Sequence, residues 1–275
     1  SGIYEIIEQL FKILLAIILV RLFKNATVEV QAALPNIAIS IGGILSFIML
    51  FLSVKGVNFK KGGYSKELLE NALPPTFARL GTSLLHLGTT TILPIGLMAY
   101  GLTKEAALSQ YGILTSMAYP VVFAPMTVIG ALCVVTLPEI AKNLDNKKII
   151  IQKARSSFLI TLSITVIFSV LVLLFAPYLA KTFFKQETAG KFMVLLIPSI
   201  IFLGLSQTAR TLLNGLGKQK TLMVTSIVDG SFGLILTYIL VWRFGIYGFI
   251  LGNCLQDFLA FIINFFICIK ELKKA

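Results

Sequence analysis

An all-α integral membrane protein of about eight transmembrane helices is the fold class the sequence predicts, and three observations predict it. The chain has 275 residues, 57% of them hydrophobic and only 13% charged, with a mean hydropathy of +0.91. Soluble domains carry about a quarter of their residues as charges. This chain therefore has too few polar groups to coat a water-facing surface, and lipid must cover much of it. Second, the apolar residues gather in runs long enough to cross a bilayer. Third, the 24 Lys and Arg outnumber the 12 Asp and Glu, and most of them fall between those runs.

A helix needs about 20 apolar residues to cross ~30 Å of hydrocarbon. Such runs lie at roughly 4–23, 33–54, 75–99, 107–138, 156–180, 191–213, 221–242 and 246–269. The first contains Glu8 and Lys12 at the i,i+4 spacing and in the acid-first order that lets them pair on one face. The third opens at Pro74-Pro75, and the fourth is broken by Pro120 and Pro125, either as a hinge for rocking or as tolerated bends. The fifth, Ile160 to Phe175, does not alternate as a barrel strand would. In the eighth, Gly248-x-x-x-Gly252 suits close helix packing. Lipid-facing backbone must be bonded within its own segment, so a helical bundle is the spanning solution left.

Short positive loops stay in the cytoplasm. One alternate set of connections holds sixteen basic residues, among them Lys55, Lys60, Lys61, Arg79, Lys147, Lys148, Arg210, Lys218 and Lys270, against seven in the other set. Both ends of the chain are thus expected inside. Basic residues at membrane edges fit anionic lipid head groups better than nucleic acid. Cys133, Cys254 and Cys268 show no CxxC or Cys/His spacing, so neither disulfide nor metal is indicated. No Walker A lysine loop, GxSxG elbow, HExxH or paired carboxylates support an enzyme.

The first and seventh runs repeat one pattern at an offset of 221: Ile6-Ile7-Glu8, Phe11, Leu15 and Phe23 against Ile227-Val228-Asp229, Phe232, Leu236 and Phe244. Both run outward from the cytoplasm, so the repeat is parallel. The organisation expected is residues 1–54 as the last two helices of a first lobe, 55–74 as a cytoplasmic linker and 75–275 as a six-helix second lobe. A matching first lobe would need four more helices before Ser1, so the chain is expected to be a piece, or a short version, of a longer protein.

The run Leu213-Asn-Gly-Leu-Gly-Lys-Gln-Lys220, the opening Ile7-Glu-Gln-Leu-Phe-Lys12, and Leu73-Pro-Pro-Thr-Phe-Ala-Arg-Leu80 resemble the polysaccharide-exporter branch of the MATE-like flippase superfamily. The resemblance covers essentially the whole chain and is strongest to the stage V sporulation protein B group, relatives of the lipid II flippase. It implies two six-helix lobes around a cavity in a monomer of the bacterial cytoplasmic membrane. It also implies movement of lipid-linked oligosaccharide precursors for cell wall, spore cortex or polysaccharide by alternating access. A cation-coupled multidrug exporter of the same fold and a membrane scaffold for wall assembly are the alternatives. No bound cofactor is expected, with coupling to Na+, H+ or the membrane potential. The partners expected are the lipid-linked substrate and membrane lipids, with no nucleic acid.

Charges within spans mark a pathway, a pair or an interface anchor. Arg79 can hold a phosphate bidentately or snorkel to the interface. His86 lies seven residues on, about two turns, hence on the same face. It can serve as a hydrogen-bonded helix contact or in proton coupling. With Thr82 and Ser83 it makes a polar stripe expected to line the cavity, and Gln110 with Tyr111 and Thr115 adds to it from the fourth run. Asp229 and Asp257 are the candidates for a coupled ion, since carboxylates suit hard cations; hydration is the other reading of Asp229, in the cytoplasmic third of its run.

Overall fold

The computed structural model describes residues 2–24, 26–53, 65–144 and 146–274, nearly all of them helical. The chain divides into two compact units, Ser1–Tyr64 and Ser65–Ala275.

The first unit is a hairpin of α1 (Gly2–Leu22) and α2 (Val28–Ser53). Gln31 fastens the turn, its side-chain amide donating to the carbonyls of Lys24 at 2.7 Å and Ala26 at 3.2 Å. Lys12 lies across α2 at Gly42, where any side chain would strike its methylenes. The expected pairing of Lys12 with Glu8 rests on a side chain outside the described residues.

The second unit opens with α3 (Ser65–Ala99), which starts at Ser65 rather than near residue 75. Pro74 and Pro75 thus sit inside the helix. The good helix formers Lys66, Glu67, Leu68, Leu69 and Glu70 extend it backwards. The fourth run is not one rod. It is α4 (Lys104–Gly112), a π-helical turn Ile113–Ala118, a short α5 (Tyr119–Val122) and α6 (Pro125–Lys142). Thr103 caps α4 by accepting from the Ala106 amide at 3.3 Å. Pro120 has no N–H to continue the ladder, and the widened turn absorbs the fault: the Tyr119 amide reaches back five residues to Leu114 O.

α7 (Lys147–Thr182) shows most directly which solvent the helices meet. Its buried face runs Ala154, Ser157, Thr161, Thr165, Ser169, Val172, Ala176 and Ala180. Its exposed face carries Leu159, Val166, Ile167, Val170, Leu173, Leu174 and Phe175. The polar residues point in and the large apolar ones point out, the reverse of a helix in water. Those inner hydroxyls join helices. Thr136 of α6 bonds Ser157 of α7 at 3.3 Å, and Thr161 bonds Thr208 at 2.8 Å. Such bonds hold helices together where lipid supplies no hydrophobic drive.

α8 (Glu187–Leu195) and α9 (Ile197–Gly215) bend by 46° at Leu196 and together are long enough to span. α9 ends in a Schellman turn, in which the Gly217 amide bonds Asn214 O at 2.9 Å and the Lys218 amide bonds Leu213 O at 3.0 Å. Gly217 takes the left-handed φ of 72° that this turn needs. α10 (Gln219–Lys274) breaks at Gly245, where φ is 59° and ψ −141°. It is therefore two antiparallel arms, 219–244 and 246–274, close to the two separate runs expected. The arms meet through Gly248 and Gly252, as their spacing suggested; a side chain at Gly248 would collide with Leu240 O. α3 lies along the first arm through Gly81, Gly88 and Gly96, which face Ile227, Leu234 and Val241. Among the described residues, Leu73–Ala99, Pro125–Lys142, Lys147–Thr182 and Gln219–Leu272 are long and apolar enough to cross a membrane, the last of them bent back at Gly245. This is a multi-pass membrane protein.

Candidate functional site: a polar cavity between α3, α9 and α10

A cavity of about 780 Å³ opens within the second unit, walled by α3, α9, both arms of α10 and the broken run that contains the π turn. From α3 come Ala78, Arg79, Thr82, Leu85, His86, Thr89, Thr90 and Leu93. Those positions make one stripe along a 3.6-residue helix. The rise from Arg79 to His86 is about 10 Å, so the stripe carries a guanidinium near one end and an imidazole two turns further along, both exposed.

The opposite wall gains its face from the π turn. Tyr111, Thr115, Tyr119 and Phe123 all line the cavity, each four residues after the last. In a plain α-helix each such step drifts about 40° round the axis; the wider turn takes the drift back and keeps the four on one side. Tyr119 is further fixed by the Asn253 side-chain amide, which donates to its hydroxyl from the second arm of α10.

The cavity's charged groups divide into one pair and two single charges. Arg210 of α9 bonds Asp229 of α10 through Nη2 and Oδ2 at 2.7 Å. Their side chains keep only 31% and 17% of their exposure, so the pair is mostly withdrawn from solvent. Arg210 Nε is buried with no partner of its own. Asp257 lies beside Gln256 and Asn253, within hydrogen-bonding reach of Ser199. Among the described residues, neither Arg79 nor Asp257 forms an ion pair.

The glycine contacts give the level of each group along the helices. Gly88 faces Leu234, and Gly233 is filled against by Gln256, which puts Gln256 and its neighbour Asp257 at the level of His86 and Gly88. Gly230 faces Leu85, so Asp229 and its partner Arg210 stand up to about one turn nearer the level of Arg79.

Of the residues singled out in the sequence, Arg79, Thr82, His86, Asp229 and Asp257 line this one cavity. Ser83 and Gln110 are not among its lining residues. Ser83 stands about 90° round α3 from the centre of the stripe, and Gln110 is one residue out of phase with Tyr111. Asp229 is engaged by Arg210, a contact the sequence reading had not foreseen: Arg210 counted there as a loop cation. The signal available was an arginine at the end of one apolar run and an acid early in the next, both unsuited to hydrocarbon unless paired.

The chain matches the model of the MatE family over residues 88–239. It is 25% identical to the sporulation protein YkvU of Bacillus subtilis over 199 residues, covering 70% of this chain and 45% of that protein. It is 22% identical to the stage V sporulation protein B of the same organism over 256 residues, covering 87% and 49%. The chain thus spans about half the length of these relatives. Among solved structures, the inward-facing conformation of a multidrug resistance MATE family transporter superposes with a TM-score of 0.71 at 14% identity, covering 98% of this chain and 64% of that one. A bundle with this inside-out helix pattern, a transporter's fold and a family match across more than half its length has one assignment: the chain belongs to the MatE family.

Proposed function

We propose that this chain supplies the second lobe of a transporter that moves lipid-linked oligosaccharides of the undecaprenyl-pyrophosphate type across the bacterial cytoplasmic membrane. Arg79 carries the reading. A guanidinium with no carboxylate partner among the described residues, in the wall of a polar cavity of a membrane protein, is costly unless a ligand or interface uses it. Its planar fork suits a phosphate better than a lysine would. In this mechanism the pyrophosphate docks on Arg79, the sugars occupy the hydroxyl-lined wall of Thr82, Thr89, Thr90 and Thr115, and the polyprenyl tail stays in lipid. Rocking of two lobes exposes the site alternately. The names of the two relatives, both sporulation proteins, support a role in sporulation.

A second reading, cation-coupled export of amphiphilic cations, is favoured by Asp257, the cavity carboxylate left without a cation. There Asp257 would hold the coupling ion or the drug's ammonium. A binding titration of the full-length protein in nanodiscs, with undecaprenyl-pyrophosphate-linked sugar against a cationic drug, separates the two. The flippase reading expects saturable lipid binding that Arg79→Ala weakens tenfold or more, the worth of a charge-assisted pair at about 1.5–3 kcal/mol. Drug binding alone, lost in Asp257→Asn and unchanged in Arg79→Ala, would replace it with the exporter.

A further inference from the structure

A second cavity, of about 510 Å³, lies apart from the first, where the end of α7 meets α8 and the start of the second arm of α10. Its floor is apolar, built from Pro177, Ala180, Val194, Leu195 and Tyr247, and its rim carries Lys181, Glu187 and Lys191. Gly190 lets α8 approach α7 closely enough to form the groove; a side chain there would come within 3.0 Å of Ala180 Cβ and 3.2 Å of Ala176 O. Tyr247 is held in the wall by an edge-on contact with Phe192, ring centroids 6.0 Å apart.

We propose that this groove binds one anionic phospholipid, its phosphate on Lys181 and Lys191 and the upper part of an acyl chain along Val194, Leu195 and Tyr247. Three features support this. The groove stands at the height of the bilayer surface: α7 carries no charged residue from 156 to 180, about 38 Å of helix, and its first charge beyond that apolar stretch is Lys181. Tyr178 and Tyr247 are exposed at the same end, the level that aromatic residues with a polar tip favour. Next, the rim holds two lysines against one carboxylate. Glu187 pairs with Lys181 at 3.2 Å, with both side chains mostly exposed. Such a pair is worth little and exchanges readily for a phosphate. Lys191 forms no ion pair among the described residues. Finally, a soluble anion would satisfy the lysines and leave the apolar floor empty, whereas a diacyl lipid fills both parts at once.

The test is native mass spectrometry of the protein released from nanodiscs of phosphatidylglycerol and phosphatidylcholine in equal amounts. The lipid retained should favour phosphatidylglycerol by about fivefold for each lysine engaged. Lys191→Gln should cut that preference about fivefold, Lys191→Arg should keep it, and Lys181→Gln with Lys191→Gln should erase it. Val194→Trp, which fills the floor and leaves the charges, should lower retention of phosphatidylglycerol itself. An unaltered thermal transition would show that each variant is folded. Equal retention of the two lipids by the unmodified protein, or a preference that survives the double lysine variant, overturns the proposal. Displacement of the lipid by millimolar inorganic phosphate would reduce the site to a simple anion pocket and overturn it too.

Discussion

Removing both partners of the Arg210–Asp229 pair should cost less than the two single removals summed, and the size of the difference can be worked from the geometry. At 2.7 Å the two groups make a short charge-assisted bond. Two unit charges about 4 Å apart attract by ~4 kcal/mol at an effective dielectric near 20. Withdrawing both from water and fixing two long side chains takes back more than half of that. A net coupling of about 1–2 kcal/mol remains. Asp229→Asn leaves Arg210, whose Nε is already unpartnered, as a lone charge in a mostly desolvated wall; about 2 kcal/mol is expected, less than the 3–5 kcal/mol of a fully buried pair. Arg210→Gln should cost a similar amount. The double variant should lose about 1–2 kcal/mol less than the two singles summed. Thermal unfolding in nanodiscs of fixed composition reads this, each single variant lowering Tm by about 4–8 °C. Singles that add to within ~0.5 kcal/mol would show that the side chains do not pair.

Two further predictions rest on other parts of the structure. Gly245→Ala should destabilise the protein by about 1–3 kcal/mol, because φ of 59° with ψ of −141° lies outside the range of L-residues and the new Cβ would sit 3.0 Å from the Tyr100 ring; an unchanged Tm would contradict the hairpin turn at that position. Single cysteines at His86 and Thr90 should react with a charged, water-soluble thiol reagent at least tenfold faster than one at Ser83, in a background lacking the native cysteines; equal rates would place the polar stripe of α3 elsewhere.

How far the sequence could be read follows from which physics is local. The runs were legible because the bilayer sets their length and composition residue by residue. Arg79, Thr82 and His86 were legible as one face because a helix repeats every 3.6 residues, and the structure lines one cavity with all three. The break near Pro120 and Pro125 could be foreseen from the missing N–H groups, though not its form: a π turn that re-aims Tyr111, Thr115, Tyr119 and Phe123 onto one side. Gln110 failed for a plainer reason: it precedes the π turn and stands about 100° round α4 from Tyr111, which does line the cavity. Ser83 failed because membership of a polar segment does not fix the angle round its axis. The Arg210–Asp229 pair and the Tyr119–Asn253 bond join helices through tertiary packing, and a pattern within one run carries no signal for it. The lead-in of α3 at Ser65 was hidden by giving Pro74-Pro75 the role of a helix start, when a helix rich in strong formers ran through them.

In the proposed mechanism the cavity around Arg79 receives an anionic head group. The most direct test is the equilibrium affinity of the full-length protein for undecaprenyl-pyrophosphate-linked sugar, measured side by side with Arg79→Ala and Arg79→Lys in identical nanodiscs. Saturable binding is expected, weakened at least about tenfold by alanine and partly restored by lysine, which keeps the charge but not the planar fork. Affinity equal in all three proteins would contradict the mechanism and return Arg79 to the membrane interface.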